Sequence, residues 1–246
     1  MSDAGGAVES VSTVRAAVMA ELREQTGAAD PVRLVCEACV RLLPVDGASV
    51  SMMSGTTERA VLYASDEVVA HIEALQFSLG EGPCFEAFQT RGPVLVPDLA
   101  AASARSWPVF AEEMIGQPVG AIFAFPLQSG AIAIGAMDLY RRASGWFSPE
   151  DVATALKLVD IAAMAVLTLQ LGEGPEANVP PEHWWGMSGD RAQVHQATGM
   201  VMAALAVSPE QALSRLRGYA FATGCMVDDV ARDIVARELS PTELDR

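Results

Sequence analysis

The apolar residues of this chain change period twice, and that change most limits what it can fold into. Up to Pro44 they recur at helical spacing: Val14, Ala17, Val18 and Leu22 before Gly27, then Val32, Val35, Cys36, Cys39, Val40 and Leu43 after Pro31. From Asp46 they fall instead into short runs rich in β-branched residues, Ala48 to Met53, Ala60 to Ala64, Val94 to Val96, Gly120 to Leu127 and Ala131 to Tyr140. Gly, Pro, Ser and Asp clusters separate these runs, which read as strands bounded by turns. Gln128-Ser129-Gly130 marks a hairpin between the last two, and Asp66 to Phe77 is helix-like. The expected fold is therefore α+β, an antiparallel sheet of about five strands flanked by helices.

Ser148-Pro149-Glu150-Asp151 then starts a long helix. Ser serves as N-cap, Pro sits at the first helical position, and two carboxylates face the positive end of the helix. Val152, Ala155, Leu156, Val159, Ala162, Ala163, Val166 and Leu167 form a stripe wide enough to serve a second chain, so a homodimer through this helix is expected. Gly172-Glu173-Gly174-Pro175 and Pro180-Pro181 make the linker. Beyond it lies a compact all-α module of three helices. Asp190 caps the first, Ser208-Pro209-Glu210-Gln211 has the capping-box arrangement for the second, Gly224 ends that helix, and Val227 opens the third. The organisation expected is a flexible tail at 1–12, a sensor-sized domain with its long C-terminal helix at 13–172, a linker at 173–189 and the three-helix module at 190–240.

Charge limits the partners. The 246 residues carry 16 basic and 31 acidic side chains, a formal net charge of −15, and Lys157 is the only lysine. A general polyanion binder needs the opposite balance, because nonspecific affinity for nucleic acid rests on phosphate neutralisation. Four cysteines in a chain with 51% hydrophobic residues do not make a disulfide scaffold, and dispersed His71, His183 and His195 do not make a metal site. No uninterrupted apolar run approaches the ~18 residues of a membrane span, and the start lacks the positive region of a secretory signal, so no membrane partner and a cytoplasmic location are expected.

Two sets of residues resemble known families. Leu75-Gln76-Phe77, Gly80-Glu81-Gly82-Pro83-Cys84, Val94 to Leu99, Trp107-Pro108, Pro126-Leu127, Gly135, Leu139-Tyr140 and Trp146 to Asp151 resemble the GAF sensor domains of actinobacterial GAF-ANTAR regulators. Gln196 to Met202, Ala212, Leu216, Ala220 and Asp229-Val230-Ala231 resemble the ANTAR module. The resemblance implies a signal-responsive regulator: the sensor reads an unknown small molecule or redox signal, and the ANTAR module binds tandem stem-loops in nascent RNA to prevent transcription termination. Against the family pattern, Thr198 stands where a Lys is common, Gly224, Cys225 and Met226 where an Asn and basic residues are common, and Asp228 where another basic residue is frequent. From Glu176 to Arg246 there are six arginines and ten acidic residues, a balance of −4.

The candidate RNA contacts are Arg191, Arg215 and Arg217, since Arg pairs bidentately with phosphate, and Tyr219, whose ring suits an unpaired base. Arg232 and Arg237 are set aside as i,i+4 partners of Asp228 and Asp233. In the sensor domain, Cys84 follows a Gly-rich turn at a helix start, where a thiol becomes reactive. Gly80 and Gly82 permit a turn whose amides receive an anion, and His71 is a candidate axial ligand for haem. Cys36 and Cys39 sit mid-helix and read as core. The residues identify no cofactor and no catalytic centre. Two alternatives remain: a sensor whose ANTAR module docks a protein, and a GAF-type free methionine sulfoxide reductase using Cys84.

Overall fold

The computed structural model describes residues 30–55, 58–102, 106–170 and 189–245. The tail at 1–12, the expected helix around Val14–Leu22 and residues 173–188 of the linker lie outside the described residues.

Helix α1 (Pro31–Leu42) starts where the Asp30 carboxylate accepts the Val32 amide at 2.9 Å and Pro31 presets the first turn. Strands β1 (Gly47–Ser54) and β2 (Glu58–Ala64) follow, then α2 (Glu67–Leu79), capped by Asp66, and α3 (Pro83–Thr90). After β3 (Val94–Val96) come two short helices, α4 (Leu99–Ala102) and α5 (Pro108–Glu113), which apolar spacing alone did not announce. The hairpin β4 (Ala121–Ser129) and β5 (Ile132–Arg141) turns at Gly130, and α6 (Pro149–Gln170) leaves the sheet. All pairings are antiparallel, in the order β2-β1-β5-β4-β3.

Alternation along the strands gives the sheet two different faces. Ala48, Val50 and Met52 of β1, Phe123, Phe125 and Leu127 of β4, and Met137 and Leu139 of β5 share one apolar core with α1 and α6. Ser49, Ser51 and Met53 point the other way, toward α2 and α3. Cys36 and Cys39 lie in the apolar core, as their mid-helix position implied.

By length and hydropathy α6 would cross a membrane, yet Ala155, Leu158, Ala162 and Val166 are fully buried against the sheet and α1. Most of its stripe is buried within its own domain. Val159 and Val166, two residues of the stripe expected to serve a second chain, are core residues of their own domain, and the exposed large apolar residues of α6 are Leu156 and Met164, at 44% and 62%.

The C-terminal module comprises α7 (Gly189–Leu205), α8 (Pro209–Thr223) and α9 (Val227–Val235), with a 3-10 turn at Pro241–Asp245. Ser208 and Gln211 form the reciprocal capping box, and Gly224 ends α8 in the left-handed conformation. Ala197, Ala212, Ala220 and Ala231 are buried where the helices meet, which lets them approach closely around Val194, Val201, Leu216 and Ile234. One further side chain belongs to this core: Phe77, from α2 of the sensor domain.

Candidate functional site

The polar face of the sheet carries a buried charged network. β1 sets Ser49 opposite Asp138 of β5 and Met53 opposite Arg59 of β2, so these side chains converge beneath α2 and α3. Glu73 of α2 accepts hydrogen bonds from Ser49 Oγ at 2.6 Å and Ser51 Oγ at 2.7 Å, and it pairs with Arg59 through Nη2. The same Nη2 lies 3.1 Å from Cys84 Sγ. Gln76, one helical turn beyond Glu73, donates to Asp138 Oδ2 at 2.6 Å and accepts the Cys84 amide through Oε1 at 2.8 Å. Ser49, Ser51, Arg59, Glu73, Gln76, Cys84 and Asp138 are all buried.

Such a cluster is costly to build, since desolvating a charge costs several kcal/mol unless partners replace the water. Burial opposes the Arg59 charge, but Cys84, Glu73 and Asp138 outweigh it and hold the guanidinium above its usual range. For Asp138 the balance goes the other way: burial first, then the Glu73 charge, push its carboxyl up to about 7 against the pull of Arg59. Arg59 Nε and Nη1 and Asp138 Oδ1 are buried without a hydrogen-bond partner among the described residues. Two donor positions and one acceptor thus remain for a polar ligand or water.

The Gly-rich turn serves this cluster through backbone geometry. Gly80 caps α2 at φ 69°, and Gly82 enters α3 at φ 133° where a Cβ would run into the Gln76 side chain. Cys84, in the first turn of α3, is therefore brought to Arg59 and Gln76. The amide of Cys84 is consumed by Gln76, so it is not available to an anion as the sequence had led us to expect. His71 is exposed on α2 and is not brought to Gly80, Gly82 or Cys84; it presents no imidazole to a buried haem pocket. Among the described residues no cluster of three or more His, Cys, Asp or Glu is placed to hold a metal. Cys36, Cys39, Cys84 and Cys225 form no disulfide, and Cys36 and Cys39 lie on the opposite face of the sheet from Cys84.

Spacing and motif missed Arg59, Glu73 and Asp138. The signals were a pair of serines alternating within an apolar strand, and carboxylates at Glu73 and Asp138 flanked on both sides by apolar residues.

On the module, Arg215 and Arg217 do not make one face, because two residues along a helix are separated by about 200°. Arg215 Nε donates to Asp245 Oδ1 at 3.0 Å. Arg217 turns toward the sensor domain, donates from Nε to the Phe77 carbonyl at 2.9 Å and lies over the rings of Phe77 and Phe85, at 5.1 and 6.0 Å from their centroids. Both are half-buried, whereas a phosphate contact needs an exposed guanidinium. Tyr219 is half-buried against the module core. Arg191 falls in the first turn of α7 with its side chain outside the described atoms. Arg232 pairs with Asp229 at i,i+3, and the helix ends at Val235, so Arg237, at φ 63°, has left the register an i,i+4 pair with Asp233 requires.

The comparisons agree with this architecture. The model of the GAF domain matches residues 26–166, and that of the ANTAR domain matches residues 189–235. No curated protein matches the chain. Among solved structures, the GAF domain from a phosphoenolpyruvate-protein phosphotransferase of Coxiella burnetii superposes with a TM-score of 0.50 at 15% identity, covering 70% of this chain and 99% of that one. A GAF domain/HD domain protein from Geobacter sulfurreducens gives 0.45 at 16%, covering 59% and 97%. At 15% identity the likeness to the Coxiella burnetii domain bears on the fold alone. The chain belongs to the GAF domain family and joins its sensor domain to a C-terminal ANTAR domain, a signal-sensing regulator in its domain composition.

Proposed function

We propose that this regulator acts on RNA: the ANTAR module binds tandem stem-loops of a nascent transcript and controls transcription termination, under the command of a signal read by the buried network around Cys84. The order of the two domains in one chain carries the reading. The signal is a small polar ligand or a redox change, for which Arg59 Nε and Nη1, Asp138 Oδ1 and the Cys84 thiol are the receiving groups. A cytoplasmic location follows from that role. The protein acts as a homodimer, with Leu156 and Met164 on the outward side of α6 as the seam.

Binding of the full chain to a tandem stem-loop RNA across a salt series tests the reading. Affinity should fall as salt rises, with a log-log slope of about 0.7 to 0.9 per phosphate contact. A flat response at every concentration would sink it. Mass spectrometry of native protein then separates a retained ligand from an oxidised Cys84.

The charge balance of the module favours a second reading, in which it docks a protein through Thr198 and Cys225; Met226, the third residue expected on that surface, packs against the sensor core instead. Turnover of free methionine sulfoxide would support the enzyme alternative. That chemistry needs a second thiol near Cys84, and Cys36 and Cys39 are across the sheet.

A further inference from the structure

One of the three candidate RNA-binding arginines, Arg217, is held by the sensor. Besides its hydrogen bond to the Phe77 carbonyl, the Arg217 guanidinium lies so close to Gly80 that a Cβ there would meet Nη1 at 2.9 Å. A second contact anchors the next helix: the Val227 amide, at the start of α9, donates to Ser78 Oγ at 3.2 Å. Phe77, 1% exposed, completes the module's own core, and Met226 packs against the core under α2. The contact thus has a hydrogen bond from each of two helices, a buried ring and a stacked cation.

We propose that the C-terminal turn of α2 and the Phe85 ring form an autoinhibitory latch, which keeps Arg217 from any polyanion until the sensor releases it. The contact itself is independent of the proposed function, whereas its consequence for RNA rests on that reading. The latch sits one ring from the buried network, because the Phe85 ring is contacted by both Arg217, at 6.0 Å from its centroid, and Arg59, at 5.3 Å. A ligand or an oxidation that moved Arg59 from Cys84 would disturb the ring on which Arg217 rests. A phosphate that takes the Nε edge must displace the Phe77 carbonyl, because a single N–H serves one strong acceptor, and Nη1 is packed against Gly80.

The test uses the full chain, phenylglyoxal as an arginine-specific reagent, and mass spectrometry at Arg217, with the exposed Arg91 as internal reference. In wild type Arg217 should react about tenfold more slowly than Arg91. Ser78→Ala removes the acceptor for Val227 and should raise the Arg217 rate, together with a gain of about five- to tenfold in affinity for a tandem stem-loop RNA. Phe77→Leu, which keeps apolar volume but removes the stacked ring, is the second variant should the first lower the thermal transition. Equal rates at Arg217 and Arg91 in wild type overturn the latch, as does faster labelling in both variants with unchanged RNA affinity. If labelling accelerates but no form of the protein binds RNA, the latch stands and the RNA reading falls.

Discussion

The two faces of the sheet are built from the same strands by opposite rules. Toward α1 and α6 every large inward side chain is apolar, and stability there is a matter of volume and contact. Toward α2 and α3 the same strands present Ser49, Ser51, Arg59 and Asp138, and the helix answers with Glu73 and Gln76. An apolar face of similar volume would be at least as stable, since replacing buried ion pairs by hydrocarbon is often neutral or favourable. The charged face therefore reads as a place where stability was exchanged for chemistry, and α2, one of the helices that cover it, is the element on which the ANTAR domain docks.

That contrast can be broken most sharply at Arg59. Arg59→Met leaves Glu73 buried without its cation, and about 3 to 5 kcal/mol of stability should be lost, read as a shift in the urea midpoint. Adding Glu73→Gln should recover much of the loss. If the double variant is no better than the single one, the pair is not the unit argued here. On the apolar face, Leu139→Ala should cost about 2 to 5 kcal/mol through transfer and cavity terms, with no second substitution expected to rescue it.

Asp138 sharpens the comparison through pH. Its carboxyl titrates at about 7 in the fold against an ordinary value of 3.8, so the folded chain binds a proton that the unfolded chain has released between those values. Stability from this group is complete below about pH 4 and is lost as pH rises through about 7. Asp138→Asn, which keeps the acceptor for Gln76, should flatten the decline between about pH 4 and 7 in urea titrations. An unchanged slope would place the titration elsewhere.

Much of the fold was legible because period carries it: alternating runs became strands, the Ser208 to Gln211 box became a cap, and Pro149 opened α6. The buried network was less legible. Arg59 lies in β2 yet contacts Glu73 fourteen residues on and Cys84 twenty-five residues on, and such meetings are fixed by sheet register, which one sequence does not display. Arg217 shows the same limit from the other side. A charged residue on a short helix looks solvated until a neighbouring domain is seen to offer a carbonyl and two rings. For α6, stripe width did not tell inward from outward residues, because a helix packed on both a sheet and α1 buries a broad arc, Val159 and Val166 included, within its own domain.

The smallest effect on stability, and the finest test of that last point, lies along α6. Leu156→Glu and Met164→Glu change exposed positions, so each should alter the thermal transition by no more than about 0.5 kcal/mol. Val159→Glu, only three residues from Leu156 but turned into the core, should unfold the sensor domain, because a carboxylate there has no partner. The two outward substitutions isolate assembly from folding in a way that Val159 and Val166 do not. If α6 is the seam, light scattering should report half the wild-type mass for the folded Leu156→Glu/Met164→Glu chain. An unchanged mass would mean that these outward residues do not hold two chains together, and the proposed seam would have to be given up.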